Sequence, residues 1–280
     1  MRTGTRISGS ARRTWIRPGL VPALVLAAAG SPCALAGAPY LGVAPQGNAA
    51  KGAGQTTTCA ACHGTHGNSR SDQFPNLAGQ NYNYLLKQLE DFRSGALKLQ
   101  PMSAMVGNIP KTSKDKNLKD IARYFSSQKL DRTANANAHA AKLTRSQAET
   151  GYRIFQQGLA GEHVPSCAAC HTAGGTGNAP MAIPALAGQH ATYIEQQLKY
   201  FASGKRHNSP KHIMAKIARR LSPAQIRDVA LYAQQLRPDL MPGTGPTRYG
   251  AYVQSLAHKP VPGLPADALQ ASESSRKPGG

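Results

Sequence analysis

The chain is 280 residues long and strongly basic, with 33 Lys and Arg against 13 Asp and Glu and a formal net charge of +20 at pH 7. That length accommodates two small domains and a tail, so internal repeats are the first thing to seek. The charge implies an anionic counterpart, either an acidic protein or an anionic membrane surface; nucleic acid is excluded, because the cations are scattered and no recognition helix is evident.

Residues 1–36 read as a secretory signal peptide. Arg2, Arg6, Arg12, Arg13 and Arg17 come without any acid, an apolar run covers Leu20 to Ala29, and Ala34-Leu35-Ala36 precedes Gly37. The run is too short to span a bilayer. Loss of these five arginines takes the net charge from +20 to +15. The remaining chain is expected in the periplasm, with membrane association through its cations as an added possibility, and Cys33 is expected to leave with the leader.

A short helix around Asn48 to Gln55 is expected to deliver the stretch Cys59-Ala60-Ala61-Cys62-His63, which recurs as Cys167-Ala168-Ala169-Cys170-His171. Two thiols three residues apart on one helical turn can each form a thioether with a haem vinyl group. That leaves His63 or His171 under the iron as proximal ligand. Two covalently bound haem c groups follow. A zinc site fits poorly, because the cysteine pairs lie 108 residues apart and each has its own His. Disulfides fit worse, since each would close a very small loop.

After the first motif, Pro75-Asn76-Leu77-Ala78-Gly79-Gln80 returns as Pro184-Ala185-Leu186-Ala187-Gly188-Gln189 at an offset of 109, and the following Gln88-Leu89, Phe92, Ser94 and Gly95 return at the same offset. The chain is an internal duplication. Tyr82, Leu85, Leu86, Leu89 and Phe92 recur at steps of three and four, which predicts an amphipathic helix ending at Gly95, with its copy ending at Gly204. A further helix in each half carries Leu118, Ile121, Ala122 and Phe125, then Ile226, Val229, Ala230 and Leu236. Ser222-Pro223 marks the start of the second of these. No alternating strand pattern of useful length occurs, so the fold class is all-α.

These features divide the chain into a signal peptide at 1–36, a first domain at 45–131, a linker at 132–144, a second domain at 145–240 and an irregular surface tail at 241–280. Each half has roughly ninety residues and buries too little apolar surface to be comfortably stable alone, so haem is expected to complete its core.

The sixth iron ligand decides between carrier and enzyme. Met214 lies seven residues before Leu221, and Met102 lies seven before Ile109; the repeat therefore pairs Met102 with Met214 as axial ligands. Met105 falls opposite Ile217 and is expected to be a buried packing residue. Met181, His190, His207 and His212 are rival ligands for the second iron, but His212 has no counterpart near Met102.

The two C-x-x-C-H motifs, the P-x-L-x-G-Q turns, the Met before each last helix and the D-x-A-x-Y pattern at Asp120 to Tyr124 and Asp228 to Tyr232 together resemble the di-haem cytochromes c of the cytochrome c4 type. The resemblance covers residues 45–240. It implies two tandem class I cytochrome c domains, each wrapped around one haem, with the carbonyls of Pro75 and Pro184 orienting the proximal histidines. It departs from the family at an insertion near Lys111 to Lys114 and in the tail. The implied role is a periplasmic electron carrier, not an enzyme, working between acidic redox proteins or membrane-bound respiratory complexes and toward a terminal oxidase. A haem subunit of a dehydrogenase or oxidase is the alternative, and a di-haem peroxidase is disfavoured by the matched methionines.

Overall fold

The computed structural model describes Met1 and residues 44–134, 143–238, 261–265 and 268. The expected leader, apart from Met1, lies outside this set, as do the middle of the linker and most of the tail. Among the described residues there are helices and two isolated bridges, Leu159 with Val164 and Asn178 with Ile183, but no strand. Both halves belong to one compact unit, residues 38–280.

The first half contains α1 (Ala49–Gly54), α2 (Thr57–His63), α3 (Tyr82–Ser94), α4 (Met102–Gly107) and α5 (Lys116–Ser127). The second contains α6 (Arg145–Tyr152), which runs on as a π-helical turn over Arg153–Gln157, then α7 (Ala168–His171), α8 (Ala191–Ser203), α9 (Ile213–Ala218) and α10 (Pro223–Gln235). The order repeats: an entry helix, the motif helix, a long helix, a short methionine helix and a closing helix.

Local chemistry explains the boundaries. The side chains of Thr144 and Ser222 cap α6 and α10 in reciprocal boxes with Gln147 and Gln225, which satisfy two otherwise orphaned backbone donors at each start. α3 and α8 both stop at a left-handed glycine, Gly95 at φ +81° and Gly204 at φ +79°.

Entry and closing helices cross at close range in each half. Gly52 on α1 leaves no room for a Cβ beside the Asp120 carbonyl, and Gly151 on α6 does the same against α10, where a Cβ would stand 2.5 Å from Tyr232 Cβ and 2.6 Å from the Asp228 carbonyl oxygen. The first core is Tyr82, Leu85, Leu86, Val106, Leu118, Ile121, Ala122 and Phe125. The second is larger, and it includes residues assigned by sequence to linker and tail. Leu143 is fully buried in it, as are Val261, Leu264 and Ala268. Tyr232 donates to the Pro262 carbonyl at 2.8 Å, and Leu143 N–H donates to the Ala268 carbonyl at 2.9 Å. The expectation of a surface tail is thus corrected for these residues: a segment rich in Pro and Gly still carries enough aliphatic side chains to seal a helix crossing.

Gly151→Ala forces a methyl group into the α6–α10 crossing. It is expected to cost about 1–3 kcal/mol of stability, read as a lowered denaturant midpoint of the haem-loaded protein with an unchanged visible spectrum.

Candidate functional site

Each motif sits on a single helical turn, which places its two cysteines on one side and the following His at the turn's end. His63 is 4 % exposed and His171 is 7 % exposed. The helices stop directly after them, at Gly64 with φ +73° and at Thr172 with φ +67°. A β-carbon on Gly64 would collide with the Asn68 carbonyl, so this sharp exit requires glycine.

Each imidazole is held from behind. His63 Nδ1 donates to the Pro75 carbonyl at 2.9 Å, and His171 Nδ1 donates to the Pro184 carbonyl at 2.9 Å. A carbonyl oxygen can only accept, so the proton is on Nδ1 and Nε2 keeps its lone pair. Burial pushes the pKa of both rings down, against a smaller opposing effect of the carbonyls. A neutral imidazole with Nε2 unprotonated is the form that binds iron.

Cys62 and Cys170 are exposed, while Cys59 and Cys167 are partly covered. Burial raises the Cys59 thiol and pushes Cys167 up to about 12, the opposite of what a metal thiolate needs. Among the described residues no group of three or more His, Cys, Asp or Glu converges as a metal site.

The methionines divide clearly. Met102 and Cys59 pack against the first core, and Met214 and Cys167 against the second. In each half one motif sulfur and one methionine thus border the same apolar cluster. Met105 is different: it is 37 % exposed and is not in the first core. The expectation that it packs inside is corrected; one face of the short α4 must turn outward, and Met105 is on it. Of the rivals, His207 and His212 are exposed, with His212 Nδ1 donating to the His207 carbonyl at 2.9 Å. His190 is buried at the start of α8, and Met181 lies in a short 3-10 turn.

Between the halves runs a polar seam that the linear pattern did not reveal. Arg206, only 6 % exposed, donates to Gln197 at 2.7 Å within its own half and to Gln88 at 2.8 Å and Tyr84 at 3.2 Å across the seam. Asn208 donates to Gln88 at 3.0 Å and Asp91 at 2.7 Å. Asn81 reaches the Ile183 carbonyl at 2.7 Å, and Thr192 donates to Asp72 at 2.9 Å. Gln80 and Gln189 also cross here. In the sequence they stand only as ends of the repeated turn; a polar residue kept at the same place in both copies is the available signal.

A buried His held through Nδ1 at the end of a Cys-x-x-Cys turn, with one of the cysteines and a methionine bordering the same apolar core, present twice, is an arrangement that fits covalently held haem. The cytochrome c family model matches residues 49–129 and 148–237, and the chain belongs to the cytochrome c family. It is 38 % identical to cytochrome c4 of Azotobacter vinelandii over 200 residues, 68 % of this chain and 90 % of that protein. The crystal structure of reduced recombinant cytochrome c4 from Pseudomonas stutzeri matches 68 % of this chain and 98 % of its own at 36 % identity, with a TM-score of 0.60. A "thiosulfate dehydrogenase electron acceptor" from Stutzerimonas stutzeri is 34 % identical over 180 residues, 62 % of this chain and 76 % of that one. The chain is accordingly a di-haem electron-transfer protein of the cytochrome c4 type with two covalent haem c groups, a carrier and not an enzyme.

Met102→Ala is expected to remove half of the sulfur-to-iron charge-transfer absorption. Met105→Ala, at a partly exposed site, should leave that band intact and change stability by less than about 1 kcal/mol. Visible spectroscopy of the oxidised proteins and denaturant titration read both.

Proposed function

We propose that Cys59 and Cys62, with His63 and Met102 as axial ligands, hold the first haem, and that Cys167, Cys170, His171 and Met214 hold the second. We further propose that the protein shuttles electrons in the periplasm between respiratory-chain partners, toward a terminal oxidase. The carrying observation is the doubled arrangement, each His fixed by a proline carbonyl and each Met packed on the same core as a motif sulfur. Thioether ligation favours ferrous iron and raises the potential, which suits delivery to an oxidase.

Charge supports an acidic partner. Exposed Lys111, Lys114 and Lys116 follow α4, and exposed Lys205, Lys211 and Lys216 surround the start of α9, so both methionine loops carry cations. The expected leader supports export; no described helix is long and apolar enough to cross a membrane. A second reading, service to a dehydrogenase as its acceptor or haem subunit, is favoured by the relative named as an electron acceptor.

Raising ionic strength from 0.01 to 0.15 M shortens the Debye length from about 30 to about 8 Å. The bimolecular rate with an acidic redox partner is expected to fall about tenfold or more, measured by stopped flow. A flat response, with the protein copurifying in a larger complex, would favour the subunit reading.

A further inference from the structure

We propose that Gln80 and Gln189 are positioning residues that act across the seam, each steadying the haem-binding His of the opposite half. The inference rests on the reading of His63 and His171 as proximal ligands.

Gln189 closes on the backbone of Asn76: its Oε1 accepts from Asn76 N–H at 2.9 Å and its Nε2 donates to the Asn76 carbonyl at 2.9 Å. Gln80 does the same to Ala185, accepting from its N–H at 2.8 Å and donating to its carbonyl at 3.0 Å. Asn76 and Ala185 are equivalent in the repeat, as are Gln80 and Gln189, so the exchange is reciprocal. Each Oε1 also accepts the N–H of its own next residue, Asn81 at 2.9 Å and His190 at 3.0 Å. Two backbone donors on one amide oxygen fix which way the side chain faces.

The peptide group that supplies the Asn76 N–H is the one whose carbonyl belongs to Pro75, and that carbonyl accepts from His63 Nδ1. A continuous chain therefore runs from His63 Nδ1–H through one peptide plane to Oε1 of Gln189 in the other half. Its mirror runs from His171 through the Pro184 carbonyl and the Ala185 N–H to Gln80. Hydrogen bonds in series polarise one another, and most strongly where water is excluded; Gln80 and Gln189 are each 7 % exposed and Asn76 is 5 % exposed. A donor bond from Nδ1 raises the basicity of the ligating nitrogen, which stabilises ferric iron. Removing Gln189 withdraws one end of that chain and leaves both backbone groups of Asn76 buried without it. His63 then becomes a weaker base, and the potential of the first haem rises. Gln80 governs the second haem in the same way.

The test is crossed. Gln189→Leu in the full di-haem protein is expected to raise the potential of the first haem and leave that of the second in place; Gln80→Leu should do the reverse. Spectropotentiometry reads the two potentials. Proton NMR of the hyperfine-shifted haem methyl and exchangeable His resonances, assigned to each half through flanking side chains, reads which haem has changed. Gln189→Met and Gln80→Met retain side-chain length should the leucine variants fold poorly. Gln88→Leu, which cuts a cross-seam bond to Arg206 away from the proline turns, should move neither potential. Variants that shift the haem of their own half, shift both alike or shift neither while retaining both haems would overturn the crossed role. Failure of covalent haem attachment in His63→Ala and His171→Ala, by contrast, tests the ligand assignment itself.

Discussion

An imidazole that must offer one nitrogen to a metal has only the other by which it can be held. Much of this structure follows from that restriction. The Nδ1 donor must meet a fixed acceptor in a place without water, and the acceptor here is a proline carbonyl 12 or 13 residues downstream. Proline has no N–H to compete for the turn and has a restricted φ, so its carbonyl points in a reproducible direction. The turn must then be anchored. Within each half, Gly67 and Gly175 accept from Leu77 and Leu186 at 2.8 Å and from Ala78 and Ala187 at 3.1 and 3.0 Å, and a further anchor comes from outside the half.

That outside anchor gives the duplication its physical meaning. A half of this size has a small core, and its polar turn lies at the edge of that core, where water would otherwise compete for the Asn76 and Ala185 backbone groups. Pairing the halves edge to edge excludes water from both turns at once, because each half's unmet needs are met by the other's glutamine. Cofactor retention and domain docking are thereby parts of one polar arrangement, set between two apolar cores that each carry their own methionine.

Much of this was legible in the linear chain, and for definable reasons. The span of α10 could be read because Ser222, Pro223 and the spacing from Ile226 to Leu236 all act within a few residues. The equivalence of Gln80 with Gln189 could be read because duplication supplies an internal alignment. What escaped depends on contacts distant in sequence. The outward turn of Met105 follows from how the short α4 lies on α3, which residue type does not reveal. The reach of Gln80 across 105 residues to Ala185 has no local periodicity, and Val261 and Leu264 hid in a stretch whose Pro and Gly content resembles an irregular segment.

Arg206 adds a constraint on which halves can pair. Its guanidinium lies between Gln88 and Gln197, which are the same residue in the two copies of the repeat, so one charge serves both copies of the glutamine. The equivalent residue in the first half is Leu97, 2 % exposed. Two second halves brought together in this geometry would place two guanidiniums at one buried point, a like-charge repulsion with no water to screen it. Two first halves would have no cation for the glutamines and Tyr84 to receive. Only unlike halves satisfy the site. The leucine-to-arginine difference between the copies thus makes the seam asymmetric: one half supplies the cation, and the other supplies the Gln88 and Tyr84 that receive it.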